Sequence, residues 1–138
     1  MNRREFIEAY LGLTKQLGIK PEQMPVDAGG SLLMRGMRAS TDDIDTSVES
    51  DVYMAIKLKV KPWFYYEDLN HPSGVKVLSI GPFDIHLVKQ LPKRCDIIDG
   101  VGCQTLEDVL ALKKRLNRPK DQDDIRAIEA ALAAQHNK

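Results

Sequence analysis

The sequence of 138 residues contains no apolar run as long as a membrane-spanning helix needs, which is about 20 residues. Its first ten residues, MNRREFIEAY, include two arginines, but the apolar stretch of a secretory signal peptide does not follow them. We therefore expect a protein without a membrane segment that is located in the cytoplasm.

Cysteine is scarce, because the chain has only Cys95 and Cys103. Two thiols do not make a disulfide framework, and their spacing is not that of a zinc site. Neither cysteine has a histidine at a useful spacing, so we expect no zinc centre and no cysteine nucleophile. The two thiols fit a reducing cytoplasm.

An excess of charge is also lacking, because 20 basic side chains balance 20 acidic ones. Such a chain has no overall field that gathers nucleic acid or anionic lipid, so an anionic ligand must be held by a local cluster. Hydrophobic residues at 43% and charged residues at 29% are ordinary for a globular protein. At this length we expect one domain that spans residues 1–138.

The chain does contain a clear order of helical and strand patterns. Apolar spacing and helix-start signals predict helices over residues 3–18, 51–59, 105–117 and 120–136. Residues 24–28, 43–48, 75–80 and 83–88 suit strands. Gly29-Gly30 follows the first strand and precedes a short helix from Ser31, and Gly81-Pro82 predicts a hairpin or tight bend. This order indicates an α/β protein with a helical C-terminal end.

Three aspartates stand out within the predicted strands. Asp43 and Asp45 are two residues apart, so their side chains share one face at a separation of about 6–7 Å. Asp84 lies between Phe83 and Ile85 and adds a carboxylate on another strand. Oxygen ligands of this kind suit Mg²⁺, which neutralises phosphate oxygens in nucleotidyl transfer. The alternative is that acids on a half-buried strand simply face water.

Gly29-Gly30-Ser31 stands 12 residues before the first of these acids, counted from Ser31 to Asp43. Glycines allow backbone amides to approach a phosphate, and the N-terminus of a following helix adds donors and the positive end of a dipole. The position of this turn ahead of the acids favours a site for phosphate and metal over acids that simply face water.

The pattern of Gly-Gly-Ser, two carboxylates and a later third acid resembles that of the nucleotidyltransferase superfamily. The stretch GGSLLMRGMRASTDDID is similar to the AbiEii-like and minimal nucleotidyltransferase branches, in which GGT or GGS precedes a basic residue, a small hydroxyl residue and D-I-D. A second block, TLEDVLALKKRLNRPKDQDDIRAI, resembles the C-terminal helix of the same family. Together the blocks span residues 26–128.

This resemblance implies an α/β nucleotidyltransferase (polymerase-beta-like) fold with a small mixed sheet, helices and a helical C-terminal end. It implies that Asp43, Asp45 and Asp84 are catalytic and bind Mg²⁺ or Mn²⁺, with Asp84 as a metal ligand or a base. The residues that it implies for nucleotide binding are Gly29, Gly30, Ser31, Arg38, Lys113 and Lys120. The second block also matches Arg118, Asp121 and Asp124. For the basic residues, a solvated helix face or a salt bridge between Lys120 and Asp124 is the alternative.

The activity implied is metal-dependent transfer of a nucleoside monophosphate from an NTP to an acceptor hydroxyl or phosphate, with release of pyrophosphate. An RNA 3′ end, a protein and a small molecule all remain open as acceptors, and a homodimer or a partner protein is a further expectation. The alternatives are a non-catalytic nucleotide-binding or toxin–antitoxin interaction module, and a phosphohydrolase that uses the same acids.

The chain also carries an aromatic run at residues 63–66 and a histidine close to one of the acids. The run Trp63-Phe64-Tyr65-Tyr66 suits a strand or a packing loop, and the rings of Trp63, Tyr65 and Tyr66 could stack a base. An aromatic cluster beside a proline is more often buried, so we expect it to be core. His86 shares a strand face with Asp84, and we expect it to be structural.

Overall fold

The computed structural model describes residues 1–136. In chain order the elements are α1 (Arg3–Leu17), α2 (Ala28–Met34), β1 (Ile44–Val48), α3 (Ser50–Lys59), β2 (Tyr66–Asp68), β3 (Val77–Ile80), β4 (Phe83–Leu87), β5 (Asp96–Ile98), β6 (Val101–Cys103), α4 (Leu106–Leu116) and α5 (Gln122–His136). Short 3₁₀ turns cover Pro21–Gln23, Pro62–Phe64 and Pro119–Asp121. No helix within the described range is both long and apolar enough to cross a membrane.

The main sheet is mixed and has the strand order β1-β4-β3-β2. β1 runs parallel to β4, whereas the β3–β4 and β2–β3 pairs are antiparallel. β5 and β6 form a separate antiparallel pair. Val26 links the two sheets, because it bridges Thr46 on one side and Cys103 on the other. The predicted strand at residues 24–28 is therefore only a pair of isolated bridges.

Two hydrophobic clusters hold the helices on the sheets. The larger cluster joins α1 and α3 to one face of the main sheet and includes Phe6, Ile56 and Ile85. The smaller cluster lies between α2, α4 and α5. Because Leu33 of α2 belongs to the first cluster and Leu32 to the second, this short helix connects the C-terminal helices to the sheet.

The predicted boundaries of α1 and α4 are confirmed by their caps. α1 ends where Gly18 takes the left-handed conformation with φ 68°, which a glycine adopts without steric cost. α4 begins at Thr105, whose hydroxyl accepts from the Asp108 N–H at 3.2 Å. It ends at Asn117, which is also left-handed.

α2 begins earlier than the sequence predicts. Asp27 is the extended residue that precedes the helix, so Gly29 and Gly30 lie within the first turn rather than in a separate turn before it. Strands β5 and β6 are not predicted from the sequence, and β2 overlaps the aromatic run only at Tyr66, because a strand of three residues is too short for apolar alternation to be recognised.

The expectation that Trp63, Tyr65 and Tyr66 are core is wrong for two of these three rings. Trp63 is 75% exposed, Phe64 65% and Tyr66 68%, and only Tyr65 packs against the main cluster. The physical reason is the position of this segment at the free edge of the sheet, since β2 has a neighbour only in β3. Six of the eight large hydrophobic side chains that are exposed within the described chain belong to residues 54–69.

Candidate active site

The pairing of β1 with β4 brings two of the predicted acids together. Asp45 is directly opposite Asp84 in the parallel register. Asp43 comes immediately before β1, one residue outside the strand. The three side chains offer ligand oxygens that all lie within 4.8 Å of one another. Three hard oxygen donors at this separation fit Mg²⁺ or Mn²⁺ and do not suit a soft metal.

The strand alternation explains why these acids face away from the core. Ile44 and Thr46, on either side of Asp45, are fully buried. Phe83 and Ile85, on either side of Asp84, are buried as well. Since successive strand residues point to opposite faces, the hydrophobic pattern that forms the core also places both carboxylates on the open face.

Asp45 is a partly buried carboxylate with acidic neighbours. Burial, and then the negative charge of Asp43, raise the pKa of Asp45 to about 6. His86 opposes this rise, and Asp27 and Asp84 add to it. A bound divalent cation would remove the repulsion and favour the ionised form. Asp84 is held from its other side, because Ser79 Oγ donates to its Oδ1 at 2.7 Å.

Asp27 and Ser47, which the sequence analysis missed, join His86 in a group of polar side chains beside the acids, and this group supports β1. Asp27 N–H donates to the Asp45 carbonyl at 2.8 Å, and Ser47 Oγ donates to Asp27 Oδ1 at 3.0 Å. His86 Nδ1 donates to the Thr46 carbonyl at 3.1 Å and lies 4.0 Å from Asp27 Oδ2. Burial raises the pKa of Asp27 above its ordinary value, and His86 counteracts that rise. The available signal was the place of Asp27 before Ala-Gly-Gly, where N-cap residues stand.

A cleft of about 330 Å³ lies beside Asp43 and Asp45. Residues 28–30 line it, together with the basic residues Arg38, Lys113, Arg118 and Lys120 and with Thr41, Asp121 and Asp124. The structure therefore brings the predicted Gly29, Gly30, Arg38, Lys113 and Lys120 to one cavity with two of the three acids.

The two glycines are needed for different reasons. A Cβ on Gly29 would lie 2.9 Å from Arg38 Nη1, on the cleft side. A Cβ on Gly30 would lie 2.7 Å from Phe6 Cζ and 2.9 Å from Val26 Cβ, within the core. Gly30 thus permits α2 to pack closely against α1, while Gly29 leaves space for the Arg38 guanidinium.

Ser31 does not reach the cleft. Its side chain is fully buried, and its hydroxyl donates to the Gln104 carbonyl at 2.7 Å while accepting from Arg35 Nε at 3.1 Å. The backbone N–H of Ser31 is also engaged, because it donates to the Asp27 carbonyl as the first hydrogen bond of α2. The geometry gives Ser31 a structural role, in which it fastens α2 to the end of β6, in place of the predicted contact with phosphate.

The basic residues of the cleft form a connected ionic network. Lys113 is 5% exposed and lies 3.3 Å from Asp121 and 3.0 Å from Asp124. Arg118 contacts Asp121 through Nε at 2.7 Å, and Arg38 contacts Asp124 at 3.3 Å. Hydrogen bonds from Arg118, and then from Lys113, hold the pKa of Asp121 well below its usual range. Lys120 is exposed and makes no ion pair within residues 1–136.

This chain is similar in structure to ANT(2")-Ia, solved in complex with adenylyl-2"-tobramycin. The TM-score is 0.62 at 13% sequence identity, over 96% of this chain and 90% of that chain. The fold is the small mixed α/β fold of nucleotidyltransferases, as the sequence predicts. No protein-family model matches the sequence, and the search of curated proteins found no match.

Proposed function

We propose that this chain is a metal-dependent nucleotidyltransferase, which transfers a nucleoside monophosphate from an NTP to an acceptor hydroxyl or phosphate and releases pyrophosphate. The observation that carries the proposal is the position of the Asp43, Asp45 and Asp84 carboxylates directly beside a cleft lined by glycine backbone and basic side chains. The fold supports it, because the similar structure ANT(2")-Ia was solved with an adenylyl compound.

Asp43, Asp45 and Asp84 would hold the divalent cation, since their oxygens already converge within 4.8 Å. When bound, Mg²⁺ or Mn²⁺ neutralises phosphate oxygens and makes the α-phosphorus more electrophilic. The protein contributes rigid positions for these ligands, because Asp45 and Asp84 belong to paired strands.

The triphosphate would lie in the cleft. Residues 28–30 present the start of α2, where backbone N–H groups lack partners within the helix. Lys120 and Arg38 line the same cleft and offer positive charge. Lys113 is buried and forms an ion pair with Asp124. Arg38 pairs with the same carboxylate, and its guanidinium lies close to Gly29. These contacts position the substrate and neutralise charge, which are the main contributions to this chemistry.

In the transfer step, an oxygen of the acceptor bonds to the α-phosphorus while the bond from that phosphorus to the bridging oxygen breaks. Pyrophosphate leaves with the electron pair. If Asp84 acts as the base instead of as a metal ligand, its carboxylate, which Ser79 orients through Oδ1, accepts the proton of the acceptor hydroxyl.

The motif at residues 29–45 supports a finer assignment within the nucleotidyltransferase superfamily. GGSLLMRGMRASTDDID supports a place near the AbiEii-like and minimal nucleotidyltransferase branches. The free thiols of Cys95 and Cys103 support a reducing, cytoplasmic location.

The test is calorimetric titration of the four NTPs with and without Mg²⁺. Asp43→Asn and Asp45→Asn should each weaken metal-dependent binding by about tenfold or more, because each removes a charged ligand. Asp42→Asn is the matched control, because this neighbouring acid is exposed and lies outside the three-carboxylate cluster. The Asp42→Asn protein should bind NTP in the presence of Mg²⁺ with the affinity of the wild type. Binding that is insensitive to Mg²⁺, or equally weakened in Asp42→Asn, would contradict the proposal.

Product analysis then separates transfer from hydrolysis. Pyrophosphate together with a labelled acceptor indicates transfer, whereas free nucleoside monophosphate without an acceptor indicates a phosphohydrolase.

A second candidate is a nucleotide-binding module that acts with a partner protein, as in a toxin–antitoxin pair. The observation that favours it is the concentration of exposed hydrophobic side chains in residues 54–69. This candidate predicts Mg²⁺-dependent NTP binding without turnover by the isolated chain, so measured turnover would exclude it.

A further inference from the structure

A single row of side chains crosses all four strands of the main sheet. The register pairs Asp45 with Asp84, Asp84 with Ser79, and Ser79 with Tyr66. Residues that are paired across neighbouring strands project from the same face of a sheet. The hydrogen bond from Ser79 to Asp84 agrees with this placement. The open face of the sheet therefore carries an acid, a hydroxyl and an aromatic ring in a line that starts at Asp45.

This row extends away from the nucleotide cleft. Asp45 lines the cleft, whereas Asp84, Ser79 and Tyr66 do not. Neighbouring strands are about 4.8 Å apart, so Tyr66 lies about 10 Å from Asp84, at the free edge of the sheet. The Tyr66 ring is 68% exposed. A molecule that presents a hydroxyl at Asp84 can extend along the row and place a ring on Tyr66.

The loop between β2 and β3 borders this row on one side. His71 of that loop packs edge-on against His86, with ring centroids 5.6 Å apart. Val77, opposite His86 in the next row of the same face, is only 1% exposed. The adjacent row is thus covered, and the row that ends at Tyr66 is left open beside it.

We propose that this row is the acceptor site, and that Tyr66 determines specificity by stacking on a ring of an acceptor that is uncharged or cationic. The inference rests on the proposed nucleotidyltransferase function and adds to it the class of acceptor: a hydroxylated compound of two or three linked rings, which spans about 10 Å.

The charges on this part of the sheet decide against a nucleic acid. None of the residues in β1, β2, β3 and β4 is lysine or arginine. Asp68 lies two residues from Tyr66 on the same strand and adds negative charge. Nucleic-acid binding depends on basic side chains that neutralise phosphates, so an RNA strand along this row would gain little favourable binding free energy. A cationic ring compound would be attracted by the carboxylates and could also make a cation–π contact with the face of the Tyr66 ring.

The test measures acceptor binding to the complete chain saturated with Mg²⁺ and an ATP analogue that has a methylene group between the α- and β-phosphates. The probes are neamine, which is a cationic amino sugar, and a five-nucleotide RNA with a free 3′-hydroxyl. We expect neamine to bind the wild type, and to bind Tyr66→Ala about tenfold more weakly. Tyr66→Phe should stay within about twofold of the wild type, because it keeps the ring.

Trp63→Ala is the matched control, since it removes a ring that is 75% exposed but lies outside the strand row. Its neamine affinity should be that of the wild type. Equal loss in Trp63→Ala and Tyr66→Ala, binding of the RNA in preference to neamine, or binding of neither probe would overturn the inference.

Binding of the Mg²⁺–analogue complex is measured first in all four proteins, which separates the two proposals. If the wild type does not bind this complex, the proposed function itself fails. If the complex binds equally to all four proteins and neamine does not bind the wild type, only the acceptor inference fails.

Discussion

Asp45→Asn should stabilise the metal-free protein at neutral and alkaline pH, although it removes a proposed metal ligand. The folded protein raises the pKa of Asp45 from 3.8 to about 6, chiefly through burial and the charge of Asp43. The folded state therefore binds this proton more tightly than the unfolded state. Stability falls as the pH rises from about 4 to 6, and the full penalty applies above that range.

The magnitude follows from the same values. A tenfold change in proton affinity is worth about 1.4 kcal/mol, so a rise from 3.8 to about 6 corresponds to roughly 3 kcal/mol at most. Asp45 is only half-buried, and solvent screening reduces this to about 1–2 kcal/mol. At pH 4.5, about a third of the effect remains.

Urea denaturation in EDTA at pH 8 and at pH 4.5 measures this difference. We expect Asp45→Asn to unfold at a higher urea concentration than the wild type at pH 8, with a smaller gain at pH 4.5. Added Mg²⁺ should narrow or reverse the order, because it stabilises only a protein that binds it. Asp42→Asn should show no such pattern. A variant less stable than the wild type in EDTA at pH 8, or a gain independent of pH, would refute the electrostatic reasoning.

Two further variants test the supports of the cleft. Gly30→Ala should lower the free energy of unfolding by about 1–3 kcal/mol, because its Cβ would overlap Phe6 and Val26. Gly12→Ala in α1 is the control, because a Cβ there meets no atom within 4 Å. In the same urea titration this variant should be neutral or more stable by up to about 1 kcal/mol. Lys113→Ala should lower the urea midpoint far more than Lys114→Ala, because Lys113 is buried against Asp121 whereas Lys114 is exposed; equal midpoints would show that the network does not stabilise the fold.

Much of the fold was predictable because its elements carry local signals. Alternation around Asp45 and Asp84 predicted both strands, and Gly81-Pro82 predicted the bend between β3 and β4. The pairing of these strands was not predictable, because alternation indicates a strand but does not identify its neighbour. The family resemblance was the basis for predicting that Asp84 lies close to Asp45, and the register of β1 and β4 shows it directly.

Other parts of the site depend on tertiary contacts that have no local pattern. Ser31 follows two glycines, as a phosphate-binding serine would, yet the start of α2 at Ala28 turns its hydroxyl towards Gln104. The aromatic run at residues 63–66 reads as core until the sheet order places β2 at an edge. Asp27 was overlooked because a single aspartate before a short helix is a common cap.

The parallel register of β1 and β4 also has a consequence for how the metal site is assembled. A shift of one residue would place Asp45 opposite Phe83 or Ile85 and would turn the acid of one of the two strands into the core, which opposes such a shift in the folded chain. Every molecule that has folded has therefore already brought Asp45 and Asp84 together. Cation binding should require no ordering of these two ligands, and its affinity is then set by charge and dehydration instead of by a conformational search.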